Sequence, residues 1–193
     1  MPTAAGRRWD ERKIGRAVCR QVLLSKCIVL VENTSWTGHE CDLLGVTMDL
    51  RVIDVEVKIS RADLKADAAK DKWWHRRAGW LYGTEPPPRP REWPREWPPK
   101  VWKHYYALPR DLWDVALFDA LPSPNSGVLL MTERSNGAIT IAVERRATPN
   151  RDAERLSPAD VLDVARLANL RMWDALERRA AVEDAAAKMA VAA

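Results

Sequence analysis

From residue 53 to residue 59 apolar and charged side chains alternate without a break. Ile53, Val55, Val57 and Ile59 hold the odd positions, and Asp54, Glu56 and Lys58 the even ones. A period of two puts the sets on opposite faces of a β-strand. The aliphatic face requires a sheet packed on a core. The other face carries two acids and a lysine at successive positions. It is either a solvated surface, with Glu56 paired to Lys58 or Arg51, or a site that uses the charges.

Residues 40–47 read as the preceding strand, with a turn at Met48-Asp49. Folding back about Asp49 sets Asp42 opposite Glu56, where paired Cβ atoms lie ~5 Å apart. Two carboxylates so placed repel, and a hard divalent cation, Mg²⁺ or Mn²⁺, offsets the repulsion. Lys58 projects from the same face roughly 6–7 Å further along. There an ammonium can orient a water and stabilise charge on a phosphate. Metal-assisted hydrolysis of a phosphodiester needs these groups, because the ester is anionic and water is a weak nucleophile. Asp54 reads as a solvated or supporting carboxylate rather than a ligand.

The remaining elements frame this hairpin. Asp10 caps a helix reaching about Leu24, with Ile14, Val18 and Val22 on one stripe. Residues 28–31 read as a buried strand. Ser60 caps a helix over residues 61–74. Residues 101–108 predict a strand and 110–120 a short helix. Residues 127–131 and 138–143 predict strands joined at 135–137. Ser157-Pro158-Ala159-Asp160 opens a long helix with an alanine-rich tail. The order α-β-β-β-α, insert, β-α-β-β-α predicts an α/β layered domain, its core in residues 1–150 and a C-terminal helix and tail in 151–193.

In this order of elements, Asp42, thirteen intervening residues and Glu56-Val57-Lys58 resemble the PD-(D/E)xK signature of restriction-endonuclease-like nucleases. Residues 58–67, the Lys72-Trp73 pair, Tyr105-Tyr106-Ala107-Leu108-Pro109 and Gly127-Val128-Leu129-Leu130 resemble the MmcB-like branch linked to DNA repair. The resemblance covers roughly residues 10–145 without the insert. It implies a restriction-endonuclease-like mixed central sheet flanked by helices. It also implies a Mg²⁺-dependent DNA nuclease for repair, recombination or phage DNA processing. Asp42, Glu56 and the Val57 carbonyl would be metal ligands, Lys58 the catalytic lysine, and Glu11 an acidic residue that some members carry on the first helix. Cys41 stands where the signature has proline, and the insert lies outside the pattern. Many relatives dimerise, so a homodimer through the long C-terminal helix is a further expectation. The alternative is a catalytically inactive DNA-binding or protein-docking module on the same fold.

The stretch after Lys58 is dense in charge. As a cluster it places Lys70 and Lys72 near the scissile phosphate and Ser60 near the attacking water, while any single residue reads as part of a solvated helix face. The insert, about residues 79–100, contains the tandem repeat Arg91-Glu92-Trp93-Pro94 and Arg95-Glu96-Trp97-Pro98. Its prolines exclude helix and favour polyproline II. Six of the ten Trp fall between Trp73 and Trp102, interleaved with arginine. That pattern suits single-stranded or branched DNA, with Arg76, Arg77 and Arg95 on phosphates and Trp93 and Trp97 stacked on bases at ~1–3 kcal/mol each. It equally suits a linker folded over the core, or a protein partner docked through residues 85–100.

The net charge of +4 permits nucleic acid without requiring it. Three cysteines without metal-type spacing support neither a zinc site nor a disulfide framework. No apolar stretch reaches the ~20 residues that span a bilayer, so a reducing cytoplasm, bacterial or phage-infected, is expected. Phosphate loops and nucleophile elbows are absent.

Overall fold

In the computed structural model, residues 9–75 and 93–192 are described. Arg76, Arg77 and most of the insert lie outside them. Helix α1 (Glu11–Val18) starts at Asp10, whose carboxylate accepts from the Lys13 N–H at 2.7 Å. It continues as one π-helical turn, Cys19–Leu23. Strands β1 (Cys27–Thr34), β2 (Cys41–Thr47) and β3 (Val52–Val57) form an antiparallel meander. After helix α2 (Arg61–Ala66) come two short strands, β4 (Trp74–His75) and β5 (Trp93–Pro94), which pair only with each other. Strand β6 (Val101–Pro109) lies parallel to β3, β7 (Gly127–Glu133) is parallel to β6, and β8 (Ile139–Arg145) is antiparallel to β7. The result is a six-stranded mixed sheet in the order β1-β2-β3-β6-β7-β8, flanked by helices.

Both faces of the sheet are covered. Ile14 and Val18 of α1 and Leu23 of the π turn pack on Leu43, Ile53, Val55 and Val57. On the other face Val164 and Leu156 meet Leu44, Val46 and Val101, while Leu64 and Trp73 meet Tyr106, Leu108 and Val128. Asp54, Glu56 and Lys58 share that second face and are only 1%, 1% and 2% exposed. The solvated face that the alternation allowed is therefore excluded, and Asp54 is buried rather than solvated.

Three local readings need correction. Strand β1 is a half-exposed edge strand, not a buried one, because no strand among the described residues pairs beyond it. The helix after Ser60 ends at Ala66, and two 3₁₀ turns follow, Asp67–Ala69 and Asp71–Trp73, on either side of an extended Lys70. A continuous helix would stack Asp63, Asp67 and Asp71 at like-charged i,i+4 positions; unwinding turns Asp67 inward instead. The helix expected over residues 110–120 is two 3₁₀ turns, Arg110–Leu112 and Val115–Ala120.

The long helix α3 (Pro158–Ala192) is capped reciprocally: the Asp160 N–H donates to Ser157 Oγ, and the Ser157 N–H and hydroxyl donate to the Asp160 carboxylate. Val161, Val164, Leu167 and Ala168 join the core, whereas residues 169–190 are exposed. Among the described residues no helix is long and apolar enough to cross a membrane.

Close packing of β6 and β7 depends on Gly127. A Cβ there would collide with the Tyr105 ring and lie 2.7 Å from the Ala147 amide nitrogen, which is backbone and cannot swing aside. Gly127→Ala is expected to cost about 1–3 kcal/mol, read as a lower urea midpoint at unchanged slope.

Candidate active site

The β2–β3 register pairs Leu43 with Val55 and Leu44 with Asp54, which carries Asp42 to the mouth of the hairpin. There the Val57 N–H donates to Asp42 Oδ2 at 2.7 Å. Asp42 lines a surface pocket of about 590 Å³ together with Glu11, Arg12, Arg16, Glu32 and Val57. Burial, and then the charge of Glu56, push the Asp42 carboxyl up to about 6.

Glu56 is held by three ammonium groups. Lys72 Nζ lies 2.5 Å from Oε1, and Lys58 and Lys70 lie 3.0 and 3.1 Å from Oε2. Burial alone would raise this carboxyl, but Lys72 and Lys58 together hold it down at about 2. Asp67 mirrors it. Its Oδ1 is 3.0 Å from both Lys58 and Lys70, and its Oδ2 accepts from Tyr106 OH at 2.6 Å and Trp73 Nε1 at 3.0 Å. Burial opposes ionisation there too, yet Lys72 and Lys58 keep the carboxyl well below the usual range. Lys58 is thus wedged between Glu56 and Asp67, with Asp63 at 3.7 Å. It positions the carboxylates rather than pointing into an open pocket.

Of the expected accessory residues, Lys70 and Lys72 join this network, and Glu11 lines the pocket beside Asp42. Ser60 does not take part: its Oγ accepts from the Asp63 N–H as the cap of α2. The second insert repeat is tied to the core. The Arg95 N–H donates to the Trp73 carbonyl, Arg95 Nε to the Trp74 carbonyl and Trp97 Nε1 to the Thr148 carbonyl. Trp93 stacks on His75 at 5.0 Å between ring centroids. Arg95 and Trp97 therefore fasten the segment where the open nucleic-acid reading needed them free.

Sequence reasoning missed Asp67, Tyr106 and His104 as parts of one buried network. The available signal was Asp67 nine residues after Lys58, which the assumption of an unbroken helix turned outward. His104 Nδ1 lies 3.0 Å from Ser126 Oγ, and its Nε2 stands 3.7 Å from Asp54 Oδ2, beyond hydrogen-bonding distance. Neither Asp54 oxygen has a nitrogen or oxygen donor among the described residues.

Asp42, Glu11 and the Val57 peptide offer hard oxygen donors around one pocket, and the repulsion between Asp42 and Glu56 is of the kind a cation relieves. A cation sharing Glu56 must displace one ammonium. Lys70 can leave: its side chain is 46% exposed, against 2% for each of the other two. Among the described residues no three His, Cys, Asp or Glu side chains cluster as a metal cage. The donors fit Mg²⁺ in its usual form, with one or two carboxylates and a shell completed by water and phosphate oxygens.

No family model and no curated protein matches the chain. Among solved structures it is similar to the SPO1766 protein of unknown function from Silicibacter pomeroyi, with a TM-score of 0.52 and 18% identity over 91% of this chain and 92% of that one. The likeness is one of fold, a mixed α/β architecture across nearly the full length of both chains.

Proposed function

We propose that the chain is a metal-dependent nuclease of restriction-endonuclease-like fold that hydrolyses DNA phosphodiester bonds, in repair, recombination or phage DNA processing. One observation carries the reading: the β2–β3 register sets Asp42 and Glu56 on adjacent strands at the mouth of one hairpin, where the Val57 N–H holds the Asp42 carboxylate and Lys58 stands next to Glu56 on the same face. Asp42, Glu56 and the Val57 carbonyl would hold Mg²⁺ or Mn²⁺, which would supply an acidified water and neutralise phosphate charge. The chain's own groups do the rest. Asp42 is oriented by the Val57 N–H. Lys58 and Lys72 fix the Glu56 carboxylate, and Asp67 fixes Lys58. Half-exposed Lys70 reaches both acids from the solvent side, where it can turn to a phosphate oxygen instead.

The test is cleavage of single-stranded, nicked, branched and duplex DNA with Mg²⁺, Mn²⁺ or EDTA. Asp42→Asn keeps the side chain's size, and its activity is expected to fall by about 10²–10³-fold. Cutting that survives EDTA, or an Asp42→Asn chain as active as the parent, ends the proposal. The inactive alternative also has an observation in its favour, since Glu56 and Lys58 already neutralise each other within the network. It predicts DNA binding that is indifferent to EDTA and never followed by cleavage.

A further inference from the structure

Arg12, Arg16 and Arg20 follow one another at four-residue intervals along α1 and its π turn, and all three are exposed. With a rise of 1.5 Å per residue their Cα atoms step about 6 Å apart along one face. No carboxylate pairs with any of them among the described residues; the weak Arg16 Nε contact to the Arg12 carbonyl, 3.4 Å, leaves both charges intact. Lys13, beside them, differs: Glu133 holds it at 2.7 Å. Arg12 and Arg16 rim the pocket that contains Asp42, while Arg16 and Arg20 rim a second pocket of about 600 Å³ that reaches Gln21 and Ile139. Arg16 lines both concavities, so the row runs from one to the other on the side of Asp42.

We infer that this arginine row is a track for the sugar–phosphate backbone of a DNA strand. Regularly spaced, unpaired guanidinium groups match a polymer with one charge per unit, and each fork can bind a phosphate with two parallel hydrogen bonds. The acidic groups of the pocket, Asp10, Glu11, Glu32 and Asp42, tolerate a phosphate only where a cation or the arginine row intervenes. The row thus steers the strand past the acids, and the docked Arg95 and Trp97 are not required for the grip. Only the direction of the track, toward Asp42, rests on the nuclease reading; the grip on the backbone does not.

Fluorescence polarisation with labelled oligonucleotides, single-stranded and duplex, in EDTA and across a salt series, tests the track apart from cleavage. Arg12, Arg16 and Arg20 changed together to Ala are expected to weaken binding about tenfold or more at low salt, and to reduce the slope of log K against log salt by about 2–3. A control with the same charge change, Arg166, Arg178 and Arg179 to Ala, should retain parental binding, with circular dichroism verifying that both variants fold. Unchanged affinity and slope in the α1 variant overturn the inference. So does a parent chain that ignores DNA at low salt, or that binds polyglutamate as tightly. Arginine-dependent binding without metal-dependent cutting keeps the track and sinks the nuclease.

Discussion

Asp67→Ala is expected to destabilise the fold by about 3–5 kcal/mol, the loss typical when one member of a buried ion network is removed. Asp67 has no exposed surface and is the acceptor for Lys58, Tyr106 and Trp73. Its removal leaves buried Lys58 with Glu56 and the more distant Asp63, and strands the Tyr106 and Trp73 donors away from water. Asp67→Asn separates charge from volume, because it keeps the shape but not the anion. Lys70→Ala supplies the contrast. That side chain is half exposed, so water screens its two ion pairs and the cost should stay below about 1 kcal/mol. Denaturant midpoints for the three variants test the ranking, and equal losses for Asp67→Ala and Lys70→Ala would contradict it. The same network sets the acid response. Glu56 and Asp67 have folded pKa values below their unfolded ones. Their stabilisation is therefore complete above the unfolded carboxylate range and lost as pH falls below about 4.

Asp54 should behave in the opposite sense, and Asp54→Asn should gain stability over the parent as pH rises. Burial, opposed by Lys72 and assisted by Glu56, raises the Asp54 carboxyl to about 7. An acid whose folded pKa lies above its unfolded value keeps its proton in the native state. Its favourable contribution is then full below about pH 4 and declines as pH climbs to the folded value. The groups facing it divide: Glu56 and Asp42 favour the neutral acid, Lys72 and the Cys41 thiol favour the anion, and burial decides for the acid. The His104 ring is kept neutral, at about 3, by burial and by Lys72. A protonated Asp54 thus faces a neutral imidazole, its Oδ2 3.7 Å from Nε2. The stability difference between Asp54→Asn and the parent should widen by up to about 1.4 kcal/mol per pH unit between roughly pH 4 and 7, and level off above. Urea midpoints at three pH values measure it. A constant offset would mean that Asp54 is ionised in the native protein.

These effects come from one strand of alternating character that the fold buries on both faces. Alternation in residues 53–59 specified a strand, and the turn at Met48-Asp49 specified its hairpin and register, because local pairing needs little beyond period and turn. The caps at Asp10, Ser60 and Ser157 were legible for the same reason: each side chain satisfies backbone donors within three residues of itself.

What the sequence could not determine was which face meets water. That depends on Trp73 and Tyr106, far apart in the chain, closing over Asp67 from separate elements. Nor could it determine that Asp67 leaves its helix, since like-charge repulsion along the helix is weak, and only the buried lysines tip the balance. Near-neighbour geometry writes itself into spacing, whereas burial of charge is a property of the whole assembly; the hairpin was therefore decided by the sequence, and the ammonium network around Glu56 by the tertiary structure alone.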